Sequence, residues 1–325
     1  MSQSIINLVA DIGGTNIRLG YFEQAGDVMA LEVFQCAQYP SLSAVIKTYI
    51  DQQQLNDKTI NACLAIACPV ENDLISMTNL PWEFSRSALK NELNLNKLLL
   101  INDYTAIAHA VPFLNDEQKV QIGNGDVVDN NPISICGPGT GLGVANVIPV
   151  GGQQWQALGG EGGHVDFSPV DHTEIQILEF LLTKYQHVSY EQLLSGLGLE
   201  QIYQAFNHIE QAEAPDLSAK EISEKALAQS CDLCEQTLAQ FCKILGSFAG
   251  NLGLTFASFG GVYIAGGIVP RFIDYFKQSE FRSRFESKGR ITFNRTIPTF
   301  VITESQPGIL GASAYLRQHN LQYIG

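Results

Sequence analysis

The apolar positions of this chain open as short continuous runs rather than helical stripes. Ile5–Ala10, Ile17–Phe22 and a stretch around Val28–Phe34 predict three extended segments, with a turn at Gly13-Gly14 between the first two. Consecutive antiparallel strands exclude a dinucleotide-binding opening, in which a strand feeds directly into a helix. Ser41 stands where an N-cap would start a helix running through Ile50. Asn61–Ala67 and Lys97–Ile101 are brief apolar runs of the kind that form buried strands. Asp103–Val111 predicts a helix ended by Pro112, so Asn102 and Asp103 fall where a strand gives way to a helix N-terminus.

The layout then restarts. Pro132–Cys136 predicts a strand, Gly137-Pro138-Gly139-Thr140-Gly141-Leu142-Gly143 a turn, and Val144–Val150 a further strand. This echoes the opening strand, glycine turn and strand, and points to an internal duplication of layout although the residues scarcely match. From Thr173 to about Phe259 the pattern is mostly helical, with a polar break at Ala214-Pro215-Asp216, and Glu191 falls inside that helical stretch. Val262–Ala265 returns as a buried strand, Gly266-Gly267 turns it, and a helix follows Pro270. A strand near Phe300–Ile302 and a helix from about Gly308 to Arg317 finish the pattern. With no Pro/Ser-rich linker, any domain boundary is a tight hinge.

Composition narrows the function classes. A chain of 325 residues has room for two compact domains, and 45% hydrophobic with 16% charged residues is an ordinary globular balance. The formal net charge of -14 sets nucleic acids and anionic membranes at a disadvantage. It also repels anionic ligands at long range, so such a ligand needs local positive potential from backbone N–H groups, a helix N-terminus or a metal ion. The N-terminus carries no secretion-signal pattern, and no run approaches the ~18 apolar residues of a membrane span. Seven cysteines, odd in number and mostly set in apolar runs, suit buried thiols in a reducing cytoplasm. Cys231 and Cys234 form a C-x-x-C in a helical stretch without a second Cys or His pair, which reads as core packing rather than metal or redox work.

Four constellations could carry chemistry. In Asp11-Ile12-Gly13-Gly14-Thr15-Asn16 the glycines permit positive φ and close approach of oxygen-rich ligands to backbone N–H groups. Thr15 and Asn16 add donors, and Asp11 could hold Mg²⁺ through water; the alternative is a plain hairpin. The Gly137–Gly143 turn fits neither G-x-G-x-x-G nor a P-loop, and either clamps phosphates or is simply tight. Ala265-Gly266-Gly267-Ile268-Val269-Pro270 suits a flat adenine or ribose, or mere strand–helix packing. Asn102-Asp103, Glu161-Gly162-Gly163-His164 and Glu191 are the carboxylates, amides and imidazoles that bond adjacent sugar hydroxyls. Each of them alone also reads as a solvated surface group, Glu191 above all.

Together these segments resemble the bacterial-type glucokinases of the actin-like ATPase, hexokinase and Hsp70 superfamily. The likeness runs nearly end to end, through Asp11–Arg18, Ala65-Ile66-Ala67-Cys68-Pro69, Met77-Thr78-Asn79, Ile101-Asn102-Asp103, Gly139–Gly143, Gly160–Phe167, Leu194-Ser195-Gly196 and Gly260–Arg271. The resemblance implies an α/β two-domain actin-like (ribonuclease H-like) fold, with duplicated mixed sheets flanked by helices and a cleft between domains. It implies a small domain of 1–113 with 304–325 and a large one of 114–303. It further implies a cytoplasmic homodimer that uses ATP and Mg²⁺ to phosphorylate glucose at the 6-hydroxyl.

By that resemblance Asp103 is the catalytic base, and Asn102, Asp103, Glu161, His164 and Glu191 bind glucose. ATP falls to Asp11, Gly13, Gly14, Thr15, Asn16, Gly139, Thr140, Gly141, Gly266 and Gly267, with Mg²⁺ at Asp11 through water. Two departures stand out. Ala10 replaces a glycine found in some relatives, and Pro138 removes one N–H donor from the second turn. A kinase of the ROK type for another hexose or hexosamine would carry a cysteine-rich zinc site after Gly-Gly-His, where this chain has Val165-Asp166-Phe167-Ser168. A sugar-responsive regulator would need a helix-turn-helix ahead of the first turn, and an actin- or Hsp70-like ATPase would lack the sugar-binding carboxylates.

Overall fold

The computed structural model describes residues 5–24, 26–77 and 80–321, so Thr78 and Asn79 of the Met77 motif lie outside the described residues. The chain forms two compact units: Met1–Leu114 with Val150–Gly159 and Glu304–Gly325, and Asn115–Pro149 with Gly160–Thr303.

The first unit is built on β1 (Ile5–Ile12), β2 (Asn16–Glu23) and β3 (Met29–Gln35), an antiparallel meander. There follow α1 (Leu42–Gln52), β4 (Thr59–Ile66), a small hairpin of β5 (Leu74–Ser76) and β6 (Glu83–Ser85), α2 (Arg86–Glu92), β7 (Lys97–Asn102) and α3 (Asp103–Ala110). The sheet order is β3-β2-β1-β4-β7, with β4 parallel to both β1 and β7. Strand side chains alternate between faces, and here both faces of β1 are covered. Leu8, Ala10 and Ile12 join the core that includes Tyr49 of α1, while Val9 joins Ala106, Ile309 and Leu316 on the other side. That double burial is why the strand reads as an unbroken apolar run. Ser41 caps α1 as expected, its hydroxyl accepting from Ala44 N at 3.2 Å.

The C-terminal helix, Pro307–Leu321, packs on α3 so closely that a Cβ on Gly311 would overlap the Ala106 carbonyl. On its other flank Gln318 exchanges two 3.0 Å hydrogen bonds with the backbone of Trp155.

The second unit carries β8 (Lys119–Ile122), β9 (Ile133–Pro138), β10 (Leu142–Gly151) and β11 (Gln154–Gly160), the tip of the last hairpin grouping with the first unit. Four helices follow: α4 (His172–Leu182), α5 (Gly196–Glu210), α6 (Ala219–Leu227) and α7 (Asp232–Phe256). The unit closes with β12 (Val262–Ile264), α8 (Ile273–Gln278), α9 (Phe281–Glu286) and β13 (Thr299–Ile302). Its sheet order is β11-β10-β9-β12-β13-β8. The inferred duplication is now explicit. In each sheet an antiparallel glycine-turn hairpin is followed by two parallel strands, β2-β1-β4-β7 in one and β10-β9-β12-β13 in the other.

Several expectations shift. The helical span from Thr173 is broken a first time at residues 183–195, where buried Val188, Tyr190, Leu193 and Leu194 pack into the core from irregular backbone. The chain beyond Gly267 first makes a 3₁₀ turn, Val269–Phe272, with Pro270 in its first turn, where a missing N–H costs nothing, and α8 begins only at Ile273. The predicted helix ending at Val111 stops at Ala110, and Val111–Phe113 tightens into a 3₁₀ turn at Pro112. Cys231 sits at the N-cap position of α7 and Cys234 is buried within it, and all seven cysteines are free thiols. Burial pushes the Cys234 thiol up to about 12.

Candidate active site

In the first unit the Asp11–Asn16 segment is the β1–β2 turn. Gly13 N donates to Asn16 O at 3.0 Å and Cys36 N donates to Thr15 O at 2.9 Å, which ties the turn onto the start of a 3₁₀ turn after β3. Gly13 and Gly14 are not among the described residues at positive φ, so the permissiveness expected of them is not what shapes the turn. The Gly13 amide is thus spent on closing the turn, and Thr15 is exposed.

Asp11 ends β1 half-buried. Its carboxylate lies against the first turn of the C-terminal helix, where a Cβ on Gly308 would stand 2.7 Å from the Asp11 carboxyl carbon. Arg18 approaches it at 3.8 Å. Burial raises the Asp11 pKa, and the Arg18 charge opposes that rise.

Asn102 and Asp103 occupy the predicted strand-to-helix junction. Asn102 caps α3, its Oδ1 accepting from Tyr104 N at 2.9 Å and Thr105 N at 3.3 Å. The cap fixes the Asn102 rotamer and sets Asp103 as the first residue of the helix. Burial pushes the Asp103 pKa up to about 6; the neighbouring Asp11 charge adds to the rise, while the Tyr104 N–H and the Asn102 amide hold it back. A helix N-terminus would ordinarily favour the ionised form. Here desolvation wins, leaving a carboxylate poised as a proton acceptor near neutral pH.

In the second unit three segments meet. The Gly139–Gly141 turn joins β9 to β10 and is closed by Gly139 N donating to Gly141 O at 2.8 Å. Glu161–His164 forms a 3₁₀ turn with His164 N bonded to Glu161 O at 3.0 Å, the shaped loop its paired glycines suggest. Gly163 is obligatory there, since a Cβ would overlap the Leu142 carbonyl. Glu191 lies in a turn between α4 and α5, not in a helix as its surroundings in the sequence suggest. Its amide donates to Gly163 O at 2.9 Å, its Oε2 accepts from Leu142 N at 2.8 Å, and its Oε1 stands 3.8 Å from His164 Nε2. Gly196 N donates to Gly139 O at 2.9 Å, a further tie between the same segments. Leu142 and Gly196 stand within the Gly137–Gly143 and Leu194–Gly196 motifs of the sequence but received no role there, because each contributes a backbone amide that no side-chain pattern reveals.

Pro138 is buried and has no N–H, and the Gly139 and Leu142 amides are already engaged by Gly141 O and Glu191 Oε2. Gly266 has φ 82°, and a Cβ there would overlap Pro138 O. Its conformation is thus demanded by packing on the second turn, whereas Gly267 is exposed with open space where a Cβ would lie.

The likeness to known proteins runs over nearly the whole chain. A family model described as Glucokinase matches residues 8–319. A glucokinase of Colwellia psychrerythraea is 60% identical over 97% of this chain and 97% of its own length. The crystal structure of a glucokinase from an Antarctic psychrotroph superposes with a TM-score of 0.89 at 35% identity, covering 97% of this chain and 99% of that one. A ROK family protein from Streptococcus pneumoniae has a TM-score of 0.68 at 17% identity, covering 98% of this chain and 99% of its own, a likeness of fold alone.

Proposed function

The chain belongs to the glucokinase family, and on that premise we propose that it transfers the γ-phosphoryl group of ATP to the 6-hydroxyl of D-glucose, with Asp103 accepting the hydroxyl's proton. The observation that carries the proposal is Asp103 itself, held at the start of α3 by the Asn102 cap with its pKa pushed up to about 6. A carboxylate of ordinary pKa is a feeble base towards an alcohol; one near 6 is better matched while remaining ionised at pH 7. In a loose phosphoryl-transfer transition state the proton leaves late, so Asp103 acts largely by orienting the hydroxyl.

The sugar-binding roles go to Asn102 and Asp103 in the first unit and to Glu161, His164 and Glu191 in the second. Their support is the resemblance, together with the convergence of Glu191 and His164. The nucleotide roles go to Asp11, Gly13, Gly14, Thr15 and Asn16, to Gly139, Thr140 and Gly141, and to Gly266 and Gly267, where backbone N–H groups supply the positive potential that the acidic chain lacks. Asp11 would hold the Mg²⁺ that accompanies ATP, through water. The single half-buried carboxylate of Asp11 suits that ion, since Mg²⁺ is usually held by one or two carboxylates plus substrate phosphates. When bound, the ion neutralises charge on the phosphoryl oxygens. A cytoplasmic homodimer completes the proposal.

The test is a coupled ATP-consumption assay across glucose, mannose, fructose, galactose and N-acetylmannosamine. Glucose should give the highest kcat/KM, and equal ATP consumption with and without sugar would remove the kinase reading.

A further inference from the structure

Gly141 belongs by its motif to a nucleotide turn, yet its nearest neighbour is an acidic side chain. A Cβ on Gly141 would stand 2.5 Å from Glu191 Oε2 and 3.2 Å from its carboxyl carbon. By contrast, a Cβ on Gly139 in the same turn would meet nothing closer than Gly141 O at 3.9 Å. The carboxylate comes this near because Oε2 accepts from Leu142 N at 2.8 Å. That leaves Oε1 as the oxygen turned towards His164, at 3.8 Å. The Glu191 backbone is pinned by its own N–H to Gly163 O at 2.9 Å, so only the side chain can yield.

We infer that Gly141 lacks a side chain for the sake of the sugar site: its bare Cα lets Glu191 close onto the Leu142 amide, and Gly141 and Leu142 thereby act as positioning residues for that carboxylate. The inference rests on the reading of Glu191 as a glucose ligand. One oxygen is spent on the protein so that the other is presented in a single orientation. A carboxylate held this way loses little rotamer freedom when it bonds a hydroxyl.

The physical consequence of a methyl group at Gly141 is specific. The atom it displaces is the far end of a flexible side chain, so the fold survives. The Glu191–Leu142 hydrogen bond does not, and the partly buried N–H loses its acceptor. The Gly141 amide remains, as does that of Thr140, so the donors left to phosphate are intact. The change therefore strikes sugar affinity and spares nucleotide affinity, the reverse of what a glycine in a phosphate turn would ordinarily do.

Calorimetric titration with glucose alone and with ADP alone, on the full chain, decides the matter. For Gly141→Ala the glucose dissociation constant should rise about tenfold or more, while that for ADP stays within about threefold. Adding Glu191→Asp to Gly141→Ala shortens the carboxylate by one methylene and should recover part of the lost glucose affinity, which a merely structural defect would not do. Normal glucose binding by Gly141→Ala, loss of ADP binding before glucose binding, or failure of that variant to fold by circular dichroism each overturns the inference. A wild-type protein that binds no glucose brings down the functional reading and the inference together, whereas wild-type binding with an indifferent Gly141→Ala brings down the inference alone.

Discussion

Asp103, the proposed base, is a residue whose charge state the fold works against. Burial favours its protonated form, so between pH 3.8 and about 6 the folded protein holds a proton that the unfolded chain has released. Stability from this residue therefore falls as pH rises through that window, and above about 6 the full cost of the buried charge is present. Asp103→Asn should raise the denaturant midpoint at pH 7.5, by about 1–3 kcal/mol of stability, while eliminating turnover. Asp103→Ala should likewise abolish turnover and leave sugar binding within about tenfold in titration; near-normal turnover would remove Asp103 from its role. With Asp103 as the proposed base, the same proton would set the acid limb of activity. The value of kcat/KM should decline below about pH 6, and Asp11→Asn, which deletes a like charge, should move that limb to lower pH in whatever activity remains.

At the scale of elements, the junction of β7 and α3 and the packing of α3 on the C-terminal helix hold Asp103 in place. Asn102 satisfies two backbone donors of α3, so Asn102→Ala should cost about 1 kcal/mol in unfolding by denaturant. Gly311 is more demanding because the helix backbones meet directly there. A methyl group must push the two helices apart, and Gly311→Ala should destabilise the protein by about 1–3 kcal/mol and lower kcat by displacing α3. A variant of full stability would mean that the two helices slide apart freely. In the second sheet Gly266 plays the comparable part, its positive φ and its contact with Pro138 joining β12 to the β9–β10 turn.

For the molecule as a whole, net charge governs how the nucleotide arrives. At -14 the chain repels ATP at long range, and on the proposed reading the turn amides and a magnesium ion supply the attraction close in. Added inert salt screens that repulsion, the Debye length falling from about 30 Å at 0.01 M to about 8 Å at 0.15 M. At constant Mg²⁺, kcat/KM for ATP should therefore rise between those two ionic strengths. A fall would show that a local basic field, not the overall charge, dominates the approach. The repeated layout of hairpin and two parallel strands explains why two glycine turns occur in one chain. Each closes the antiparallel hairpin that precedes the two parallel strands of its sheet.

Sequence alone determined what depends on neighbours along the chain. Apolar runs marked β1, β4, β7 and β9 because strands buried on both faces need no polar alternation, and Ser41 and Asn102 marked helix starts because a cap is a contact across two or three residues. The short elements β5, β6, β8, β11 and α9 escaped, since three to seven residues carry too little periodicity to register. Tertiary structure decided what depends on distant segments. Buried Val188, Tyr190, Leu193 and Leu194 mimic a helical pattern but belong to irregular chain fitted into the core, which is why Glu191 was misplaced in a helix. The rise of the Asp103 pKa required knowing what surrounds it, because desolvation is a property of packed volume and not of residue type. The meaning of Gly141 likewise waited on a carboxylate fifty positions away: a glycine announces that space is needed, and only the fold reveals for which neighbour.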